Sequence, residues 1–178
     1  MKTYQLVDNN DTPRWGIGGK SALHAVKDMY HRSSHIFIEM FGGKFILQKK
    51  AALTENGGLW SSAVSGHVES GESYINAAIR EAEEELGLIV PGHELDKILT
   101  LSPTHYEETN REFVTLFAYL LDPGKEHIYI NEEELDGIAI VPLRDLETDI
   151  KNNKDRYSPV FVLLFDLFIL IKRGNSDG

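Results

Sequence analysis

Seven positions between Gly66 and Leu88 hold fixed residue types at fixed spacing: Gly66, Glu72, Arg80, Glu81, Glu84, Glu85 and Gly87. At residue frequencies of about 5–10% per position, such a set arises by chance on the order of 10⁻⁷ times per start site. A chain of 178 residues offers too few start sites to change that. Ser73 reads as the N-cap of a helix and Gly87 as its left-handed stop. Ile75, Ala78, Ile79, Ala82 and Leu86 then form one apolar stripe that should lie on a sheet. Glu81, Glu84 and Glu85 are related by i,i+3 and i,i+4 and share a different face. Like charges at those spacings repel by about a few tenths of a kcal/mol on an exposed helix, and by more where solvent is excluded. A divalent cation relieves that repulsion. Oxygen donors in a chain without cysteine favour Mg²⁺, with Mn²⁺ as the second choice. Arg80 can pair with Glu84 at i+4 or reach back to Glu72 and brace the preceding loop. A solvated acidic face would account for an isolated run of glutamates; it does not account for Gly66 and Glu72 standing in register upstream.

The segment resembles the Nudix box, glycine-x5-Glu-x7-Arg-Glu-apolar-x-Glu-Glu-x-Gly-apolar, with every defined position met and the small Ala82 in the first apolar slot. The resemblance implies an α/β protein, an α/β/α sandwich around a central mixed β-sheet. It implies one domain over residues 1–178, with an N-terminal extension (1–33) carrying a short strand, the box at 66–88 and a C-terminal helix at 158–172. It also implies Mg²⁺-dependent attack of water on a phosphorus of a diphosphate. By position, Glu84 and Glu85 would be metal ligands. Glu81 would orient or deprotonate the water beside the same ion, and the Gly66 carbonyl would complete the shell. Glu72 and Arg80 would be the structural ion pair. The family often places a further carboxylate before a late strand, which singles out the run Glu132, Glu133 and Glu134.

A second likeness surrounds the box. His24, His31, Gly58-Leu59-Trp60 and Ser65-Gly66-His67 follow in an order similar to type I isopentenyl diphosphate isomerases, which are Nudix-fold proteins themselves. Carried over by position, His24, His31 and His67 fill three histidine metal-ligand slots and Glu112 one glutamate slot, while Tyr157-Ser158-Pro159 resembles a later motif. Two positions depart: Ser65 stands in the catalytic cysteine slot, and Asn110 where a second metal glutamate is expected. A serine hydroxyl is far less acidic than a thiol and serves an alkene proton transfer poorly. With the box intact, the pattern implies a pyrophosphohydrolase from the isomerase-like group of Nudix hydrolases, acting on a small-molecule diphosphate, in particular a nucleoside diphosphate derivative. The isomerase itself and a non-catalytic nucleotide-sensing domain are the alternatives.

The remaining elements must position these residues. Tyr4 to Val7 reads as a strand, and Ser34 to Met40 and Lys44 to Gln48 as a hairpin around Gly42-Gly43. Lys97 to Leu101, Phe113 to Leu121 and Gly137 to Pro142 read as further strands, and Ile128 to Ile130 as an edge strand. A polar loop occupies Pro103 to Arg111, Asp145 to Lys151 begins a short helix or turn, and Arg173-Gly174 opens a frayed tail. Ser158-Pro159 starts a helix through the apolar run Val160 to Ile171. Interrupted by Asp166, that run is too short to span a bilayer; it suits a helix packed on the sheet, with a homodimer contact as the alternative. With 42% apolar and 26% charged residues the composition is ordinary for a globular protein. The net charge of −10 argues against a nucleic-acid polymer or an anionic membrane as partner. It does not exclude phosphate substrates, because a metal supplies positive charge locally. Met1 to Asn10 holds no long apolar run, so no signal peptide is expected there, and the absence of cysteine is compatible with the cytoplasm.

Overall fold

The computed structural model describes residues 2–19, 26, 28–53, 57–102 and 111–174. Strand β3 (His31–Met40) organises the sheet, with Ile36 and Ile38 buried on one face and Phe37 on the other. Along one edge β3 pairs in parallel with β8 (Glu112–Leu121). Its other edge is shared. Ser33–Ile36 pair with β6 (Val64–His67) and Ile38–Met40 with β4 (Lys44–Lys50), both antiparallel. Strands β5 (Trp60–Ser62) and β9 (Leu135–Pro142) pair with β4, and β7 (Asp96–Leu101) pairs with β8. The result is a mixed seven-stranded sheet; β1 (Thr3–Val7) and β2 (Pro13–Gly18) form a separate two-stranded one.

Helix α1 (Tyr74–Leu86) lies on one face, packing Ala78, Ala82 and Leu86 against Ile36, Ile38, Ile46 and Val64. Helices α2 (Leu143–Asn152) and α3 (Pro159–Gly174) cover the other face, where Leu146, Ile150, Phe161, Phe165 and Phe168 meet Phe37, Phe45, Leu47 and Leu116. Phe37 makes edge-on contacts with both Phe161 and Phe168. These three layers are the α/β/α sandwich that the sequence implies. Ser73 caps α1 through its side chain, and Gly87 ends it at φ 60°.

Several elements differ from the sequence reading. Residues Ile128 to Ile130 form no strand, because their neighbourhood serves the end of α1 instead. Tyr129 N donates to Leu86 O at 2.8 Å and Asn131 N to Glu85 O at 3.0 Å, satisfying carbonyls the helix cannot pair itself. Arg173 and Gly174 continue α3 rather than fraying, with Arg173 Nη2 2.7 Å from Glu147 Oε1. The N-terminal extension holds two strands, not one. His24, Asn110 and the loop residues 103–110 lie outside the described residues. Among the described residues, no helix is long and apolar enough to cross a membrane.

Candidate active site

Helix α1 crosses directly over the backbone of β6 at Gly66. A Cβ at that position would overlap the Glu81 carboxylate, so the glycine is required by close approach. The loop between β6 and α1 is pinned by Arg80. Its Nε and Nη2 each lie 3.0 Å from a Glu72 carboxylate oxygen, and Nη2 also donates to His67 O at 2.9 Å. Its Nη1 donates to Glu81 Oε1 at 2.7 Å and Glu84 Oε2 at 3.2 Å. Arg80 therefore makes both of the pairings its position allowed. Burial alone would lower the guanidinium pKa, but the hydrogen bonds and charges of Glu72 and Glu81 hold it above the usual arginine value.

Three carboxylates converge beside this clamp. Ligand atoms of Glu81, Glu85 and Glu134 all lie within 4.8 Å of one another. The loop that caps the end of α1 delivers Glu134, which resolves the Glu132–Glu134 run onto its last member. Glu85 is buried; its Oε2 accepts from Ser65 N at 3.0 Å and its Oε1 from Lys50 Nζ at 2.6 Å. Burial raises the Glu85 pKa despite Lys50. Burial, then the Glu85 charge, push Glu81 up to about 7, against the opposing pull of Arg80. Glu84 stands outside this group of ligand atoms. Its carboxylate is held by Lys2 Nζ at 2.8 Å and by Arg80 at the mouth of the site. Lys2 overcomes the modest burial there and lowers the Glu84 pKa.

A second group assembles from three strands. His31 on β3, His67 on β6 and Glu112 on β8 bring ligand atoms within 4.8 Å of one another. The pairings His31↔Glu112 and Ser33↔His67 set these residues together. His31 Nε2 lies 3.5 Å and His67 Nε2 3.9 Å from Glu112 Oε1. Burial would raise the Glu112 pKa, but the His31 hydrogen bond and the His31, His67 and His35 charges hold it well below the usual carboxylate range. The three glutamates face one cleft together with His67 and Glu112, and Ser33, Ser61, Ser65, Ser158 and Lys50 contribute polar side chains to it and Val160 an aliphatic one.

A family model described as the NUDIX domain matches residues 29–161. The chain belongs to the NUDIX domain family. Among relatives of this Nudix chain, "Isopentenyl-diphosphate Delta-isomerase 2" of Photorhabdus laumondii is 31% identical over 159 residues, covering 88% of this chain and 86% of that protein. "Nudix hydrolase 3" of Arabidopsis thaliana is 25% identical over 73% of this chain and 18% of its own length. Among solved structures, DR0079 from Deinococcus radiodurans superposes with a TM-score of 0.73 at 20% identity, covering 93% of this chain and 98% of that one. That likeness establishes the Nudix fold.

Sequence reasoning missed three residues of this Nudix site. Lys50 carried only a weak signal: alternation along β4 puts Ile46, Gln48 and Lys50 on one face. Gln48 is fully buried beside Glu85, 3.5 Å from its Oε1. His35 is buried on β3, its Nδ1 2.7 Å from Ser62 Oγ.

Proposed function

We propose that this Nudix protein is a Mg²⁺-dependent pyrophosphohydrolase that cleaves the diphosphate of a nucleoside diphosphate derivative. The observation that carries the reading is the convergence of Glu81, Glu85 and Glu134. An all-oxygen, acidic donor set fits a hard divalent ion, and the glycine that lets α1 sit on β6 gives the carboxylates their common cradle. Glu81, Glu85 and Glu134 would hold the ion. When bound, it would neutralise charge developing on the phosphate oxygens and lower the pKa of a water. Glu81, held by Arg80 beside the ion, would orient the attacking water and accept its proton. Arg80 fixes Glu81 and ties the helix to the loop through Glu72. The hydroxyls of Ser33, Ser61, Ser65 and Ser158 favour a polar, hydroxylated group beside the diphosphate over a hydrocarbon chain.

The second reading, isopentenyl diphosphate isomerisation, is favoured by the gathering of His31, His67 and Glu112 and by the names of the relatives. Against it stands Ser65. Protonating an alkene also creates a carbocation that an aromatic face would stabilise, and among the described residues no Phe, Tyr or Trp lines the cleft. A chromatographic screen with Mg²⁺ for release of phosphate-bearing products from nucleotide sugars, dinucleotides, nucleoside triphosphates and isoprenoid diphosphates tests the choice. Metal-dependent release is the expected result. Conversion of isopentenyl to dimethylallyl diphosphate, with no phosphate released from any compound, would establish the alternative.

A further inference from the structure

Among the described residues, Lys50 is the one lysine that lines the cleft. Its side chain is 16% exposed and its partner Glu85 is 1% exposed. The ammonium sits 2.6 Å from Glu85 Oε1 and 3.3 Å from the Ser65 carbonyl. The Gln48 amide, in the orientation that satisfies both of its ends, accepts from Lys50 Nζ at 3.0 Å and donates to Glu85 Oε2 at 3.1 Å. The three donors of the ammonium thus meet a carboxylate, a backbone carbonyl and an amide oxygen. Those are the ligands a hard cation takes.

We propose that Lys50 is a resident rival for the divalent ion: its ammonium holds Glu85 in the metal-free protein, yields to the metal, and passes to the incoming diphosphate. Two cations cannot share Glu85 in a site this dry without strong mutual repulsion. An ion arriving alone must therefore expel the ammonium from its oxygen partners. An ion arriving with a diphosphate brings the anion that receives it, and the flexible four-carbon stem of lysine permits the move. Metal and diphosphate consequently bind with positive coupling, each raising the affinity for the other. Before the metal arrives the lysine offsets part of the Glu85 charge. The proposal rests on Glu85 as a metal ligand, and is independent of which bond is cleaved.

Calorimetric titration of the full chain with Mn²⁺, with and without methylenediphosphonate as an inert diphosphate, tests it. For the wild type, the diphosphonate is expected to tighten Mn²⁺ binding by about tenfold. Lys50→Met is expected to bind Mn²⁺ alone about tenfold tighter than wild type, to lose most of the diphosphonate enhancement, and to melt lower in a chelator. A folded Lys50→Met protein that binds Mn²⁺ no tighter than wild type overturns the proposal. If Lys50→Met does not fold, the wild type still decides. The Lys50 ammonium nitrogen resonance, assigned with Lys50→Arg, should shift on saturation with Mg²⁺, and an unmoved resonance overturns the proposal. Failure to hydrolyse any diphosphate, with these titrations as expected, would sink the hydrolase reading alone. Hydrolysis with unchanged Mn²⁺ affinity would sink this one alone.

Discussion

The two ligand groups facing the cleft differ in how their charge is settled. Glu112 is satisfied from within: His31 and His67 bring their nitrogens to it, and its pKa falls. Glu81 and Glu85 are not satisfied. Even with Arg80 and Lys50 alongside, burial raises both pKa values, helped by the Glu85 charge at Glu81 and by the Glu134 charge at Glu85. One group is electrostatically closed and the other still calls for positive charge. The proposed hydrolase reading therefore places its cation at the helix glutamates, where positive charge relieves the repulsion.

The largest expected effect follows from that contrast. Glu85→Gln should lower phosphate release by roughly 10³-fold or more, while Glu112→Gln should lower it less than about tenfold. Reversal of that order in a steady-state assay would break the comparison. Gly66→Ala comes next, because its Cβ overlaps the Glu81 side chain, which must leave its place beside Glu85. A loss of about 1–3 kcal/mol in urea unfolding is expected, together with most of the activity.

The histidine side of the cleft should show itself in pH dependence. Burial lowers His35 to about 4, from 6.5 in the unfolded chain. Between those values the unfolded state binds the proton that folded His35 refuses. Its stabilising contribution is complete above pH 6.5 and is lost as the pH falls toward 4, by about 3 kcal/mol at most. His35→Gln should flatten the stability–pH curve in that window, and an unchanged slope would count against a buried neutral His35. The smallest effect is expected at Glu84, tied to Lys2 at the exposed mouth. Glu84→Gln should change stability by less than about 0.5 kcal/mol and phosphate release far less than Glu85→Gln does. Equal losses in both would bring Glu84 into the metal shell.

How far the sequence could be read tracks this same division. The acidic helix was legible because i,i+3 and i,i+4 spacing, the Ser73 cap and the Gly87 stop are local facts. The hairpin was legible around Gly42-Gly43, but its two faces were not, since Ile36, Phe37 and Ile38 are all apolar and all buried. The histidine group was reached only by resemblance, since its members come from three strands and only register joins them. Glu134 could not be singled out among three neighbours, because loop packing against the end of α1 selects it. Ile128 to Ile130 had a strand's composition, but its amides were claimed by orphan helix carbonyls. Lys50 gave only the weak signal of β4 alternation, since an ion pair between β4 and α1 leaves no further mark in local spacing. Glu84 shares a face with its neighbours, and its pairing with Lys2, far away in sequence, could not be read from local spacing.

The central claim is that the glutamate group directs water onto a diphosphate. Mass spectrometry of products formed with Mg²⁺ in heavy-oxygen water tests it directly, across nucleotide sugars, dinucleotides and isopentenyl diphosphate. The account predicts one heavy oxygen in a released phosphate-bearing product, and none when Glu85→Gln replaces the wild type. An intact diphosphate carrying no heavy oxygen, with isopentenyl diphosphate converted to its dimethylallyl isomer, would contradict it.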